Sequence, residues 1–282
     1  KEIYNRIGRL MPSLIHKTAI IDKKAHIGNN VRIGAYCVIG KDVILHDDVY
    51  LHSHVVIEGP TVIGRKTEIF QFSVIGTPAQ HNLFAGEAAS LEIGENNIIR
   101  EKVSIHRGTK IGGMKTSIGD NNFILADCHI AHDCKLGSNN ILANGVALGG
   151  HVTLGSNCNM GAYSAVHQFV RIGDIAMIGA MAKVTEDVIP YSIADGMPCR
   201  LRRVNTIGLK KQNFSKGQIS ELRDVYNLIF NRDGEFALRL IEAKKIACLA
   251  ESLAGNMLEF IESRDKRPIC MSRKATDIKT ED

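Results

Sequence analysis

A parallel β-helix with three flat faces, mainly β and followed by a C-terminal α-helical domain, is the fold class that this sequence predicts. Three observations lead there. Aliphatic residues recur at every sixth position, and a small residue stands two places before most of them. The period ends at Pro190, and beyond it apolar residues are spaced by three and four.

Lys1 to Leu10 precede both Met11 and the repeat, so residues 1–10 are read as an extension or a cloning remnant. The repeat occupies 11–190, and 191–282 form the helical domain. Every sixth residue from Ile15 reads Ile15, Ile21, Ile27, Ile33, Ile39, Leu45, Leu51, Ile57, Ile63, Ile69 and Ile75. Gly76 to Glu92 break the phase. It resumes at Ile93, Ile99, Ile105 and Ile111, then slips by one residue over Gly112 to Ser117. The last run is Ile118, Ile124, Ile130, Leu136, Leu142, Leu148, Leu154, Met160, Val166, Ile172, Ile178 and Val184.

An α-helix would repeat its apolar residues at three and four and a plain strand at two, so a strict six needs another geometry. A prism supplies it. Each six-residue unit makes one short strand and one corner, and three units close a coil that stacks ~4.8 Å above the last. The aliphatic points inward, and so does the small residue two before it, such as Cys37, Val43, Thr61, Ser73, Cys128, Cys134, Val146 or Ala176. Each coil thereby buries three large aliphatics worth roughly 1.5–3 kcal/mol apiece. Glycine often follows the aliphatic, as at Gly28, Gly34 and Gly64, where the corner is expected to need freedom from Cβ. The spacing leaves the hand of the coil open. Beyond Pro190, Ile219, Leu222, Val225, Tyr226, Leu228 and Ile229 mark one helix, and Leu238, Leu240, Ile241 and Ile246 mark another. Residues 264–282 are charged and poor in apolar groups, which predicts a flexible tail.

Composition narrows the function. The formal charge is +5, tryptophan is absent and aromatics make up 5%, which gives no nucleic-acid groove. No stretch is long and apolar enough for stable membrane insertion, and no signal peptide opens the chain, so a cytoplasmic protein is expected. Seven irregularly spaced cysteines argue for reduced thiols.

Cys128, His129, His132, Asp133 and Cys134 have the composition of a metal site, but the repeat turns both cysteines inward, away from the imidazoles. Neither a metal nor a cofactor is therefore expected. The spacing found in hexapeptide carbonic anhydrases, two histidines five residues apart, does not occur among the eleven histidines. What the repeat does gather is a histidine cluster. His132, Gly150 and Gln168 lie eighteen residues apart and stack on one face, with His151 and His167 one residue away and His129 on the lowest coil. Three coils span only ~10 Å. An imidazole is suited to take a proton from a hydroxyl near neutral pH, and a backbone N–H at Gly150 offers an oxyanion donor. No Gly-x-Ser-x-Gly elbow and no P-loop occur. Direct acyl transfer from an activated thioester fits these parts.

The strings Ile130-Ala131-His132-Asp133-Cys134, Ala85-Gly86-Glu87, Ser104-Ile105-His106-Arg107-Gly108-Thr109, Gly150-His151-Val152 and Ala165-Val166-His167-Gln168-Phe169, with Asn205 and Gly208-Leu209-Lys210, resemble the UDP-N-acetylglucosamine O-acyltransferase family of lipid A biosynthesis, LpxA. The resemblance runs from Leu14 to about Phe230. It implies a left-handed helix, a homotrimer with sites between subunits, and transfer of an R-3-hydroxyacyl group from acyl carrier protein to the glucosamine 3-hydroxyl of UDP-GlcNAc. On the same basis His132 is the general base, Asp133 its orienting partner and Gly150 the oxyanion donor. His129, His151, His167 and Gln168 would hold sugar and phosphates, and Gln80 would reach the acceptor. Asn205 and Lys211 would contact nucleotide or phosphopantetheine, and Ala180 would bound the acyl pocket. Arg200, Arg202, Arg203, Lys210 and Lys211 offer an acidic carrier protein a basic landing strip, or are a solvated face.

The chain departs from the family at Gln80-His81-Asn82-Leu83-Phe84, where Gln-Asp-Leu-Lys-Tyr is usual. That raises a related nucleotide sugar with a 3-amino group as an alternative acceptor. An acetyl-CoA-dependent hexapeptide enzyme and a non-enzymatic scaffold are further alternatives.

Overall fold

In the computed structural model, residues 14–246, 252–265 and 267–272 are described, so the extension at 1–10 lies outside the described residues. Short strands, most of two residues, alternate with corners and stack into three sheets of eleven, nine and eight strands, almost wholly parallel. Leu14 pairs with Arg32 and Ile15 with Ile33, an eighteen-residue step that repeats up the prism. The coil is a left-handed parallel β-helix. Its core is the periodic set: Ile39, Leu45, Leu51, Ile57, Ile63, Ile69, Ile75 and Ile99 are fully buried, as are the small partners Cys37, Val43 and Val49.

The corners work differently from the sequence expectation. The left-handed conformation falls three residues after the aliphatic, on Asn30, Asp48, Asp133, His151 and Asn157 among others, with φ between 54° and 62°. The glycines directly after the aliphatic serve close stacking instead. A Cβ on Gly34 would stand 2.7 Å from the backbone of the coil above, and one on Gly64 would stand 2.4 Å from it. Bulky residues such as Tyr163 and Ile175 also adopt positive φ, at a cost of roughly 1–2 kcal/mol each. Side-chain ladders offset part of it. Asn97 accepts from the N–H of Asn122, Asn122 from that of Asn140, and Asn140 from that of Cys158.

Two insertions leave the prism at one corner, between the second and third sheets. The first follows Val74–Thr77 and returns at Ser90–Ile93, and the second follows Ser104–His106 and returns at Lys115–Ile118. Ile111 belongs to the second loop and is 68% exposed, so it is not a core position. The apparent one-residue slip is an inserted loop.

The first sheet continues past Pro190. Ser192–Asp195 adds to it in parallel, and Arg200–Val204 turns back antiparallel. Four helices follow among the described residues: α1 (Thr206–Lys211), α2 (Lys216–Phe230), α3 (Phe236–Ile246) and α4 (Leu253–Glu262). A capping box of Ser215 and Gln218 starts α2, which buries Ile219, Leu222, Val225, Tyr226, Ile229 and Phe230. Of the stripe expected on α3, only Leu240 packs against the core. Leu238, Ile241 and Ile246 are exposed while Ala243 and Arg239 are buried.

The expected flexible tail is corrected for 267–272. Ile269 and Cys270 are buried, and Cys270 N–H donates to the Asp187 carbonyl at 2.8 Å. Arg267 donates to the carbonyls of Thr185 and Gln168, both at 2.8 Å. Residues 273–282 lie outside the described residues. No described helix is long and apolar enough to cross a membrane.

Candidate active site

Ile130 ends a strand of the second sheet, and the chain then turns the corner through Ala131, His132 and Asp133. The two loops project from this same corner on the coils immediately below. Asp133 has φ 61°, so its side chain swings back toward that of its neighbour. The His132 Nδ1–H donates to Asp133 Oδ2 at 2.7 Å. A carboxylate only accepts, so Nε2 is left with the lone pair of the neutral ring.

The second loop fixes the carboxylate. Thr109 N–H donates to Asp133 Oδ1 at 2.8 Å and Thr109 Oγ1 donates to Oδ2 at 2.7 Å. Asp133 N–H donates to Thr116 Oγ1 at 2.7 Å. A Cβ on Gly112 would fall 2.0 Å from the carboxyl carbon, so glycine is required for the loop to close there. The Asp133 side chain is fully buried, and that of His132 is 8% exposed.

On the next coil a Cβ at Gly150 would stand 2.6 Å from His132 Cε1 and 2.8 Å from Nε2. Only glycine leaves that space open. The Gly150 carbonyl accepts from Phe169 N–H, while among the described residues the Gly150 N–H has no acceptor. A free backbone donor thus lies beside a free imidazole lone pair.

Further imidazoles surround His132. His151 lies edge-on with ring centroids 5.2 Å apart and stacks on Phe169 at 4.3 Å. His81, from the first loop, meets His132 edge-on at 5.2 Å. His129 is held by Ser104 Oγ at 2.8 Å and lies 5.2 Å from His106, whose Nδ1 bonds to the Pro78 carbonyl. Burial holds His106, His129 and His151 below the usual imidazole range. Neighbouring imidazoles add to this for all three, and the Asp133 carboxylate opposes it at His151.

The residues singled out from the sequence fall in three places. His129, His132, Asp133, Gly150, His151, His167 and Gln168 share the corner of the second and third sheets, the last two exposed, and Gln80 is exposed on the first loop at the same corner. Asn205 and Lys211 instead line a cavity of about 680 Å³ on the first sheet, with Ile141, Asn159 and Met177. That face is opposite the histidine corner. Asn205 is buried, caps α1 through Gly208 N–H and donates to the Ile175 carbonyl at 2.7 Å. Ala180 is exposed at the corner of the first and second sheets. His81, His106, Thr109, Thr116 and Phe169 are site residues that the repeat did not single out. The signal for His81 and Thr109 was the pair of interruptions, because loops inserted on adjacent coils at one corner must meet there.

Cys128 and Cys134 point inward and are buried, and burial pushes their thiols up to about 11 and about 12. They take no part in the site.

A hexapeptide-repeat prism carrying a carboxylate-oriented imidazole and a free backbone donor at one corner defines an acyltransferase of the hexapeptide class. The bacterial transferase hexapeptide model matches residues 24–59 and 115–150, and residues 187–270 match domain 2 of UDP N-acetylglucosamine O-acyltransferase. An acyl-[acyl-carrier-protein]--UDP-N-acetylglucosamine O-acyltransferase of Halorhodospira halophila is 39% identical over 210 residues, 73% of this chain and 80% of the relative. The solved LpxA of Acinetobacter baumannii superposes with a TM-score of 0.86 at 39% identity, over 91% of this chain and 99% of that one. An Arabidopsis UDP-N-acetylglucosamine acyltransferase superposes with a TM-score of 0.80 at 34% identity, over 91% and 100%. The chain belongs to the UDP-N-acetylglucosamine O-acyltransferase family, LpxA.

Proposed function

We propose that this protein transfers an R-3-hydroxyacyl group from the thioester of acyl carrier protein to the glucosamine 3-hydroxyl of UDP-N-acetylglucosamine, in the cytoplasm, as the first step of lipid A biosynthesis. The observation that carries this reading is the pairing of a free His132 Nε2, fixed by Asp133, with the free Gly150 N–H beside it.

The geometry orders the steps. His132 Nε2 takes the proton of the acceptor hydroxyl as its oxygen attacks the thioester carbonyl carbon. The carbonyl π electrons move to oxygen, and the Gly150 N–H donates to that oxyanion. Collapse re-forms the carbonyl and breaks the C–S bond, and His132 returns the proton to the leaving sulfur. A positioned base contributes roughly 10²–10⁴ to the rate, and one oxyanion donor about 10²–10³. Asp133 keeps the proton on Nδ1 and stabilises the imidazolium as it forms.

Asn205, Lys211 and Ala180 act in this reading from a second copy in a homotrimer. Their placement away from the histidine corner of their own chain supports a site completed by a neighbour. His129, His151, His167, Gln168 and Gln80 hold the acceptor. A 3-amino nucleotide sugar is the second reading, favoured by His81 standing against His132 where the family usually has an acid. Competing acceptors assayed with one acyl-carrier donor separate the two, and acetyl-CoA in place of the carrier tests the donor. Clear preference for UDP-GlcNAc removes the amino-sugar reading, and transfer from acetyl-CoA alone would overturn the donor assignment.

A further inference from the structure

His132, Asp133 and His151 form a compact set of two nitrogens and one oxygen, with one donor atom of each within 4.8 Å of the others. Asp133 Oδ2 is 2.7 Å from His132 Nδ1 and 3.7 Å from His151 Nε2. We propose that this set binds a divalent transition ion of the zinc class, and that occupancy switches acyl transfer off.

Two imidazoles and a carboxylate are ligands that zinc takes readily, with one position left for water. Bonds of about 2.0–2.2 Å let one ion bridge donors up to about 4 Å apart, so the set needs to close by less than about 1 Å. Asp133 is already held by Thr109 on both oxygens, and His151 is supported on its face by Phe169. Such outer contacts fix ligand orientation before an ion arrives. The free cysteines of the described residues are all buried and offer no competing thiolate at this corner.

Inhibition follows from the proton count. A neutral imidazole has one lone-pair nitrogen. If the ion binds Nε2 of His132, that lone pair is consumed. If it binds Nδ1, replacing the hydrogen bond to Asp133, the ring proton moves to Nε2. In both cases the nitrogen that must accept the substrate proton is no longer free. This inhibitory half rests on His132 as the base, whereas ion binding does not.

The test uses full-length protein freed of metal with EDTA. Zinc chloride is titrated by calorimetry into the wild type and into His151→Asn, a residue that tolerates the positive φ of this corner. Both proteins are assayed in zinc and in magnesium, and the wild type is loaded with cobalt(II) for its absorption spectrum. The expected result is one zinc per chain, EDTA-reversible inhibition at matching zinc concentrations, and binding weakened by about 10-fold or more in the variant. Magnesium, which demands an octahedral oxygen shell, should not inhibit. The cobalt spectrum should carry d–d bands without thiolate charge transfer. Equal zinc affinity in both proteins, equal inhibition by magnesium, or a thiolate band would overturn the site. Zinc that binds through His151 without slowing turnover would overturn the switch, and loss of zinc affinity in His132→Ala would then place the fault in His132 as the base rather than in His132 as a ligand.

Discussion

His132 and Asp133 are adjacent in sequence, yet Nδ1 of one and Oδ2 of the other are 2.7 Å apart. Neighbouring residues on a strand point to opposite faces, and only the left-handed φ of 61° at Asp133 brings the two side chains together. Asp133→Asn therefore tests orientation more than fold. Asparagine tolerates the same φ but lacks the charge that holds the tautomer, so kcat should fall by roughly 10² or more with KM little changed. A steady-state comparison checks this, and an equal fall in kcat for Thr109→Val would extend it to the loop that holds the carboxylate.

Gly150→Ala places a methyl group 2.6 Å from the His132 ring. The ring must move away from its partner or the backbone must shift, and either misplaces base and oxyanion donor together. A loss of about 10² in kcat is expected, with circular dichroism and thermal midpoint close to wild type.

Acid should destabilise the protein through its histidines. Burial holds His106, His129 and His151 below their unfolded value of 6.5, so the folded state binds fewer protons than the unfolded chain below that pH. Their neutral forms contribute stability that is complete above about pH 6.5 and is lost as pH falls through the folded values. Urea midpoints measured from pH 7.5 to 5 should decline, and His106→Asn should flatten the decline.

Asn205→Ala removes both the cap of α1 and the bond to the Ile175 carbonyl. The expected cost is about 1–2 kcal/mol of stability in chemical denaturation, and the proposed assembly of this face with a neighbour's histidines further predicts a raised KM for the acceptor.

The repeat made the prism and its core legible because inward packing imposes one residue type on every sixth position. It was silent wherever the chain left that geometry. Ile111 kept the period by coincidence while sitting on an exposed loop. Leu238 and Ile241 kept a helical spacing, but α3 turns Ala243 and Arg239 inward. Stacking by eighteen placed His132, Gly150 and Gln168 on one corner. It could not show that Asp133 turns back onto His132, since that depends on a corner dihedral. Nor could it bring in His81 and Thr109, which arrive on loops. Ile269 and Cys270 were hidden for the opposite reason, a short apolar pair inside a charged tail.

Turnover of His132→Ala with an R-3-hydroxyacyl carrier protein and UDP-GlcNAc is the most direct test of His132 as the general base. Wild-type protein should make the 3-O-acyl product, and the variant should be slower by roughly 10² or more while retaining its oligomeric state and acceptor affinity. Turnover equal to wild type would contradict the assignment of His132 as the base.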